Sequence, residues 1–207
     1  MDAPMSQAFI PLPLAETIHC AWPTSNQTLF SAPELFFAQT RANAEYGKPG
    51  FTRDCGKRFH RGCDIAPVHV TATGQMTRVI FTDCATGQDY ASEEPTFVPQ
   101  DPVFAVYDGA VSERVDDENA SDFGKHLVIE HCWPTSGEKF FTLYAHLAEV
   151  LHFPAAVVSG QPIGIMGQTS RIADARNWMR VAPHLHFEVR NAGGQAYDPV
   201  EFLRRYL

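Results

Sequence analysis

No stretch of this 207-residue chain offers the ~20 consecutive apolar residues that a membrane-spanning helix needs. Its opening, MDAPMSQAFIPLPLAETIHC, lacks the basic start and long apolar core of a secretory signal. Positive charge is in deficit: 16 Lys and Arg stand against 24 Asp and Glu, a formal net charge of −8. That balance disfavours nucleic acid and anionic membrane surfaces as general partners. Cysteine is sparse, and its count of five is odd, so at least one thiol is unpaired within a monomer. None of the five falls in a CxxC zinc knuckle, and the possible pairings among Cys20, Cys55, Cys63, Cys84 and Cys132 stay open. Internal repetition is also missing, because HCAWPTS at 19–25 and HCWPTS at 131–136 have unmatched flanks.

What the chain does have is enough apolar content, 44%, to bury a core as one domain. Short runs such as VFAVYDGAVSERV, HLVIEHCW, KFFTLYAHL and HLHFEVR alternate with glycine, proline and acidic turns, which predicts a mainly β, antiparallel architecture. Helix is expected in SAPELFFAQTRANAEYG, with Ser31 as cap and Pro33 in the first turn, and again in DPVEFLRRYL.

His184 and His186, in PHLHFEVR, are the most telling residues. Strand side chains two apart share a face, so both imidazoles reach one small volume, where one can bind metal while the other handles protons. His60 and Asp64, in HRGCD, supply matching ligands only if the chain bends. Four residues of straight strand would separate them by roughly 13 Å, against zinc bonds of ~2.0–2.2 Å. Gly62 lies in that interval and tolerates dihedrals closed to other residues. Three protein ligands with one open position form the pattern of a catalytic zinc site. His146, in TLYAHL, is the best placed further histidine for proton work. Each element has a plainer reading when taken alone: HxH as half-buried strand, HxxxD as a solvated turn, YAHL as a packed strand end.

In order, FHRGCDIA, VYDGAV, LVIEH, TLYAHL, QPIGIMGQTS and PHLHFEVR resemble the lysostaphin-like (LytM-type) zinc peptidases, from about Phe59 to Leu203. The resemblance implies a two-sheet antiparallel fold with a zinc groove and few short helices. It implies His60, Asp64 and His186 as zinc ligands and His146 and His184 as the catalytic pair. The implied activity is a zinc metalloendopeptidase, one Zn2+ per chain, that cuts peptide cross-links of bacterial peptidoglycan. An extracytoplasmic location, periplasmic or secreted with the leader already removed, follows from that substrate, and a monomer is expected. A non-catalytic or latent module that binds wall or regulates other wall hydrolases is the alternative, and a metal hydrolase of another peptide is a third reading.

Residues 1–50 are read as an N-terminal segment on or near the groove, and 51–207 as the peptidase domain. Relatives connect HxxxD to the VYDGAV-like strand more briefly, so 68–102 is an insertion, expected to be a hairpin on one groove wall. Asn26 and Asp54 are candidates for a ligand donated by the segment before Phe59. Tyr144, two before His146, is either a groove contact or core. Cys63 ranks below the histidines as a ligand, and His131 is expected to make a structural hydrogen bond. The loop 171–181, with Arg176, Trp178 and Arg180, offers either glycan contact or loop packing.

Overall fold

A computed structural model describes residues 8–38, 45–170 and 182–207. The fold is mainly β, with antiparallel sheets as expected. Its centre is a seven-stranded sheet that contains β7 (Gly109–Val115), β8 (His126–Cys132), β9 (Lys139–Ala145) and β13 (Leu185–Asn191) as successive neighbours. β3 (Cys63–Ile65) and β14 (Ala196–Tyr197) pair with the far edge of β13, and β11 (Ala156–Val157) closes the other end beside β7. A three-stranded sheet of β10 (Leu147–Val150), β12 (Pro162–Met166) and β6 (Pro102–Phe104) stands apart from it.

Period-two alternation decides which chemistry faces where. Along β13, Leu185, Phe187 and Val189 are fully buried in the apolar core, which leaves His184, His186 and Glu188 on the opposite face. Both faces are covered, so burial runs unbroken from Leu185 to Val189 and only residue type separates core from site. The core proper gathers Trp133 and Phe140, stacked at 4.1 Å between ring centroids, with Phe202 and Tyr206 of the terminal helix. That helix, α2 (Pro199–Tyr206), starts where Asp198 accepts from the backbone N–H of Val200 and Glu201.

Of the first expected helix, the described residues form only α1 (Pro33–Phe36); Ser31 does not cap it, and Ala32 stands at the cap position without a side-chain bond. Phe37 then bridges Ile65, and Ala38 N–H donates to Asp64 O, so this stretch runs as an extra edge beside β3. Burial of Phe37 against the sheet, where the backbone turns extended, outweighs local helix propensity there. The remainder of that predicted helix, 39–44, lies outside the described residues. The segment before it joins the same core through Leu12, Ile18 and Leu29. Among the described residues no helix is long and apolar enough to cross a membrane.

The stretch 68–102 contains a long hairpin, β4 (Val70–Thr82) and β5 (Asp89–Pro99), turning at the Ala-Thr-Gly-Gln signal. Its base is pinned by the fully buried Asp101, whose carboxylate accepts from the backbone N–H of Val68 and His69. Its tip is tied by a Cys55–Cys84 disulfide to the turn between β1 (Gly50–Arg53) and β2 (Arg58–His60). Cys20, Cys63 and Cys132 remain as free thiols.

Candidate metal and catalytic site

Strand register assembles the site from four chain segments. β3 and β13 pair with Asp64 opposite His186, and β13 and β9 pair with His186 opposite Ala145, which places His146 one residue past the partner of His186. His184 is held by a bridge between its own residue and Gly167. The backbone does bend between β2 and β3, bringing His60 Nε2 to 3.2 Å from Asp64 Oδ1. Gly62 serves that bend through space more than through dihedral freedom. A Cβ there would lie 2.6 Å from Phe187 O and 2.7 Å from His186 Cε1, so no side chain fits between the bend and β13.

Three ligand atoms converge. His60 Nε2 lies 3.2 Å from His186 Nδ1, and Asp64 Oδ1 lies 3.0 Å from His186 Nδ1. Tetrahedral bonds of ~2.0–2.1 Å put ligand atoms about 3.3 Å apart, so this spacing fits a zinc ion, as does the N, N, O donor set. His184 Nε2 sits 3.6 Å from Asp64 Oδ1, and the His146 ring is 4.7 Å from that of His184 and 5.8 Å from that of His186. All five side chains named from the sequence therefore border one volume. His146 gets there by a left-handed backbone, φ 63°, uncommon for a residue with a side chain.

Every imidazole is fixed on its outer nitrogen. His60 Nδ1–H donates to Lys48 O at 2.8 Å, His146 Nδ1–H to Thr169 O at 2.8 Å and His184 Nδ1–H to Ala182 O at 2.6 Å. His186 is held the other way round, with Nε2 2.8 Å from Glu188 Oε1, and Glu188 in turn pairs with Arg190. A carbonyl can only accept, so the neutral rings carry their proton outward and present a lone pair to the shared volume.

Burial depresses the pKa of His60 and His184 despite the nearby Asp64 carboxylate, and burial together with His184 and His186 lowers His146 well below the usual range. Burial opposes ionisation of Asp64 too, but Arg53, His184 and His60 hold it well below an ordinary carboxylate. For His186 the hydrogen bonds to Asp64 and Glu188 overcome burial and raise the pKa to about 9.

Arg53, Glu188 and Thr169 are site residues that the sequence reading missed. Glu188 stands two after His186, and the same period-two rule that linked the histidines would have flagged it. Arg53 reaches the site from β1, with its guanidinium in contact with Asp64 Oδ2 and donating to His60 Nε2 at 3.0 Å; no local pattern signals this. The proposed N-terminal ligands are not in place. Asn26 donates instead to Leu35 O and Ala66 O, and the exposed Asp54 pairs with Arg58. Cys63 alternates with Asp64 on β3 and is buried in the core, and Tyr144 is fully buried with its hydroxyl accepting from Val106 N–H. The left-handed turn at His146 breaks the face that Tyr144 and His146 would share on a regular strand. His131 makes structural hydrogen bonds to Asp108 O and Thr142 Oγ1. Arg176, Trp178 and Arg180 lie outside the described residues.

Residues 83–199, more than half of the chain, match Peptidase family M23. The chain belongs to that family. The match includes His146, His184 and His186, whereas His60 and Asp64 precede it. Among solved structures, this M23 chain is similar to a zinc-containing peptidase from Vibrio cholerae at 28% identity, with TM-score 0.37, over 60% of this chain and 35% of that one. It is similar to the antimicrobial peptidase lysostaphin from Staphylococcus simulans at 27% identity, with TM-score 0.38, over 50% of this chain and 39% of that one. The catalytic domain of the prophage-encoded M23 protein EnpA from Enterococcus faecalis aligns at 19% identity, with TM-score 0.45, over 82% of this chain and 92% of that one. No curated protein matches the chain in sequence.

Proposed function

We propose that this M23 protein is a zinc-dependent endopeptidase that hydrolyses the peptide cross-links of bacterial peptidoglycan. The observation that carries this reading is the convergence of three ligand atoms within 3.2 Å of one another, beside two further imidazoles whose Nε2 lone pairs face the same space. His60, Asp64 and His186 are the metal ligands, and His146 and His184 the catalytic pair. The chemistry that bound zinc supplies is Lewis-acid polarisation of the scissile carbonyl and a water whose pKa is lowered toward ~7.

The chain's own groups handle the proton. His184, neutral at physiological pH and pinned at Nδ1, accepts it at Nε2 and returns it to the departing amine nitrogen. His146 is pinned in the same tautomer, so its neutral form also offers an acceptor and stabilises an oxyanion only once protonated. Such a substrate places the protein outside the cytoplasm, periplasmic or secreted, acting as a monomer.

One observation favours latency as a second reading. The guanidinium of Arg53 already engages Asp64 and the Nε2 lone pair of His60, two of the groups that a metal ion needs. Digestion of purified peptidoglycan by zinc-loaded protein, with fragments identified by mass, tests the first reading. Soluble fragments are expected, and a His184→Ala control is expected to lose 10²–10⁴-fold in rate with zinc retained at one equivalent. Zinc binding without fragments from any wall type would exclude the endopeptidase in favour of the latent module.

A further inference from the structure

Glu188 is anionic and almost fully buried, and the reaction scheme gives it no proton to move. It lies on the site face of β13, two residues past His186, with Oε1 2.8 Å from His186 Nε2. Its other oxygen accepts from Arg190 at 2.6 Å, and the Arg190 guanidinium stands over the Phe123 ring, which itself packs 5.5 Å from the His186 ring. The imidazole is thus held at its outer nitrogen by a carboxylate, while that carboxylate is held from behind by a cation. Phe123 contacts both ends of the arrangement. The three rings whose Nδ1 faces outward into the fold, His60, His146 and His184, meet backbone carbonyls at that nitrogen, so an outer carboxylate is reserved for the ring with a ligand atom on Nδ1.

We infer that Glu188 is a positioning residue for the metal ligand His186, with Arg190 and Phe123 holding it in line. This rests on the metal reading given above. A carboxylate that accepts the Nε2 proton does two things. It selects the tautomer whose lone pair is on Nδ1, facing His60 and Asp64, and it makes that lone pair more basic. Removing such partners typically weakens metal binding by 10–100-fold. Glu188 hydrogen-bonds to His186 and Arg190, so its effect on the site is carried through His186.

The test compares wild type with Glu188→Gln, which keeps the shape but loses the charge, and Glu188→Ala, which loses both. Zinc dissociation constants are measured by competition against a chromophoric chelator, and the His186 Nε2–H···Glu188 hydrogen bond is read from the ring N–H proton shift and exchange rate in the zinc-loaded protein. Zinc affinity is expected to fall about tenfold in the glutamine variant and toward 100-fold in the alanine variant, with the downfield, slowly exchanging Nε2–H signal of His186 lost in step. Arg190→Met should give a smaller loss of the same kind, and it guards against misfolding of the Glu188 variants. Zinc affinities within twofold of wild type in all three variants would overturn the role of Glu188 and leave the zinc site intact. A wild-type protein that binds no zinc would overturn the metal reading along with it.

Discussion

His131 provides a test of the fold that is independent of any metal. Its ring is buried between β8 and β9, with Nδ1–H donating to Asp108 O at 2.8 Å and Nε2 2.7 Å from the Thr142 hydroxyl. The Tyr144 hydroxyl lies next in line, 3.1 Å from Thr142 Oγ1. Burial pushes the His131 pKa down from 6.5 to about 4. Above pH 6.5 neither state is protonated there, so the ring makes its full contribution. Between pH 6.5 and 4 the unfolded chain binds a proton that the folded ring refuses, and stability falls as pH falls. Integrated from pH 7 to pH 4.5, the shift amounts to about 2 kcal/mol for this one group. Unfolding free energies by urea at the two pH values, in wild type and His131→Gln, isolate that term, because every other titration and any metal release occurs in both proteins. The variant is less stable at pH 7, having lost buried hydrogen bonds, and the two proteins converge on acidification. Equal losses in both, within about 0.5 kcal/mol, would refute a neutral buried His131.

Two further predictions concern groups around the proposed metal ligands. Arg53→Met removes a cation that contacts Asp64 and His60. At an effective dielectric near 20, a unit charge in contact with a divalent ion's ligands repels that ion by several kcal/mol. Zinc affinity is therefore expected to rise at least about tenfold in calorimetric titration, and an unchanged or weaker affinity would show that Arg53 supports Asp64 instead. The Cys55–Cys84 bridge spans 29 residues, for which loop-closure entropy predicts up to about 3.6 kcal/mol of stabilisation. A double serine variant should lower the thermal midpoint while keeping one zinc per chain; loss of zinc stoichiometry would mean that the bridge holds the β1–β2 turn in place for His60.

The legible parts of this molecule are those written in periods and punctuation. Alternation in PHLHFEVR separated Leu185, Phe187 and Val189 from His184 and His186, and the structure keeps that division on β13. The hairpin at 70–99 follows its turn signal, and the helix from Pro199 follows its Asp198 cap. Of the helix expected after Ser31, the described residues keep Pro33–Phe36 and leave it at Phe37, whose extended backbone bridges Ile65 and buries the ring beside β3. The disulfide was one of several permitted pairings, and choosing it required knowing that the tip of the β4–β5 hairpin returns to the β1–β2 turn.

The site was half legible for a related reason. The proposed ligands and proton carriers are side chains, and HxxxD, YxHL and HxH carry them in the sequence. Ligand orientation is supplied mostly by backbone carbonyls, those of Lys48, Thr169 and Ala182, and a carbonyl has the same chemistry at every residue, so no motif can mark it. Those three acceptors come from three separate stretches of chain, two of them far in sequence from the ring they hold. The inward direction of the lone pairs of His60, His146 and His184 is therefore a consequence of the completed fold. A mutation that displaces any of these carbonyls, without touching a named site residue, is expected to free a tautomer and weaken the site while leaving every motif intact.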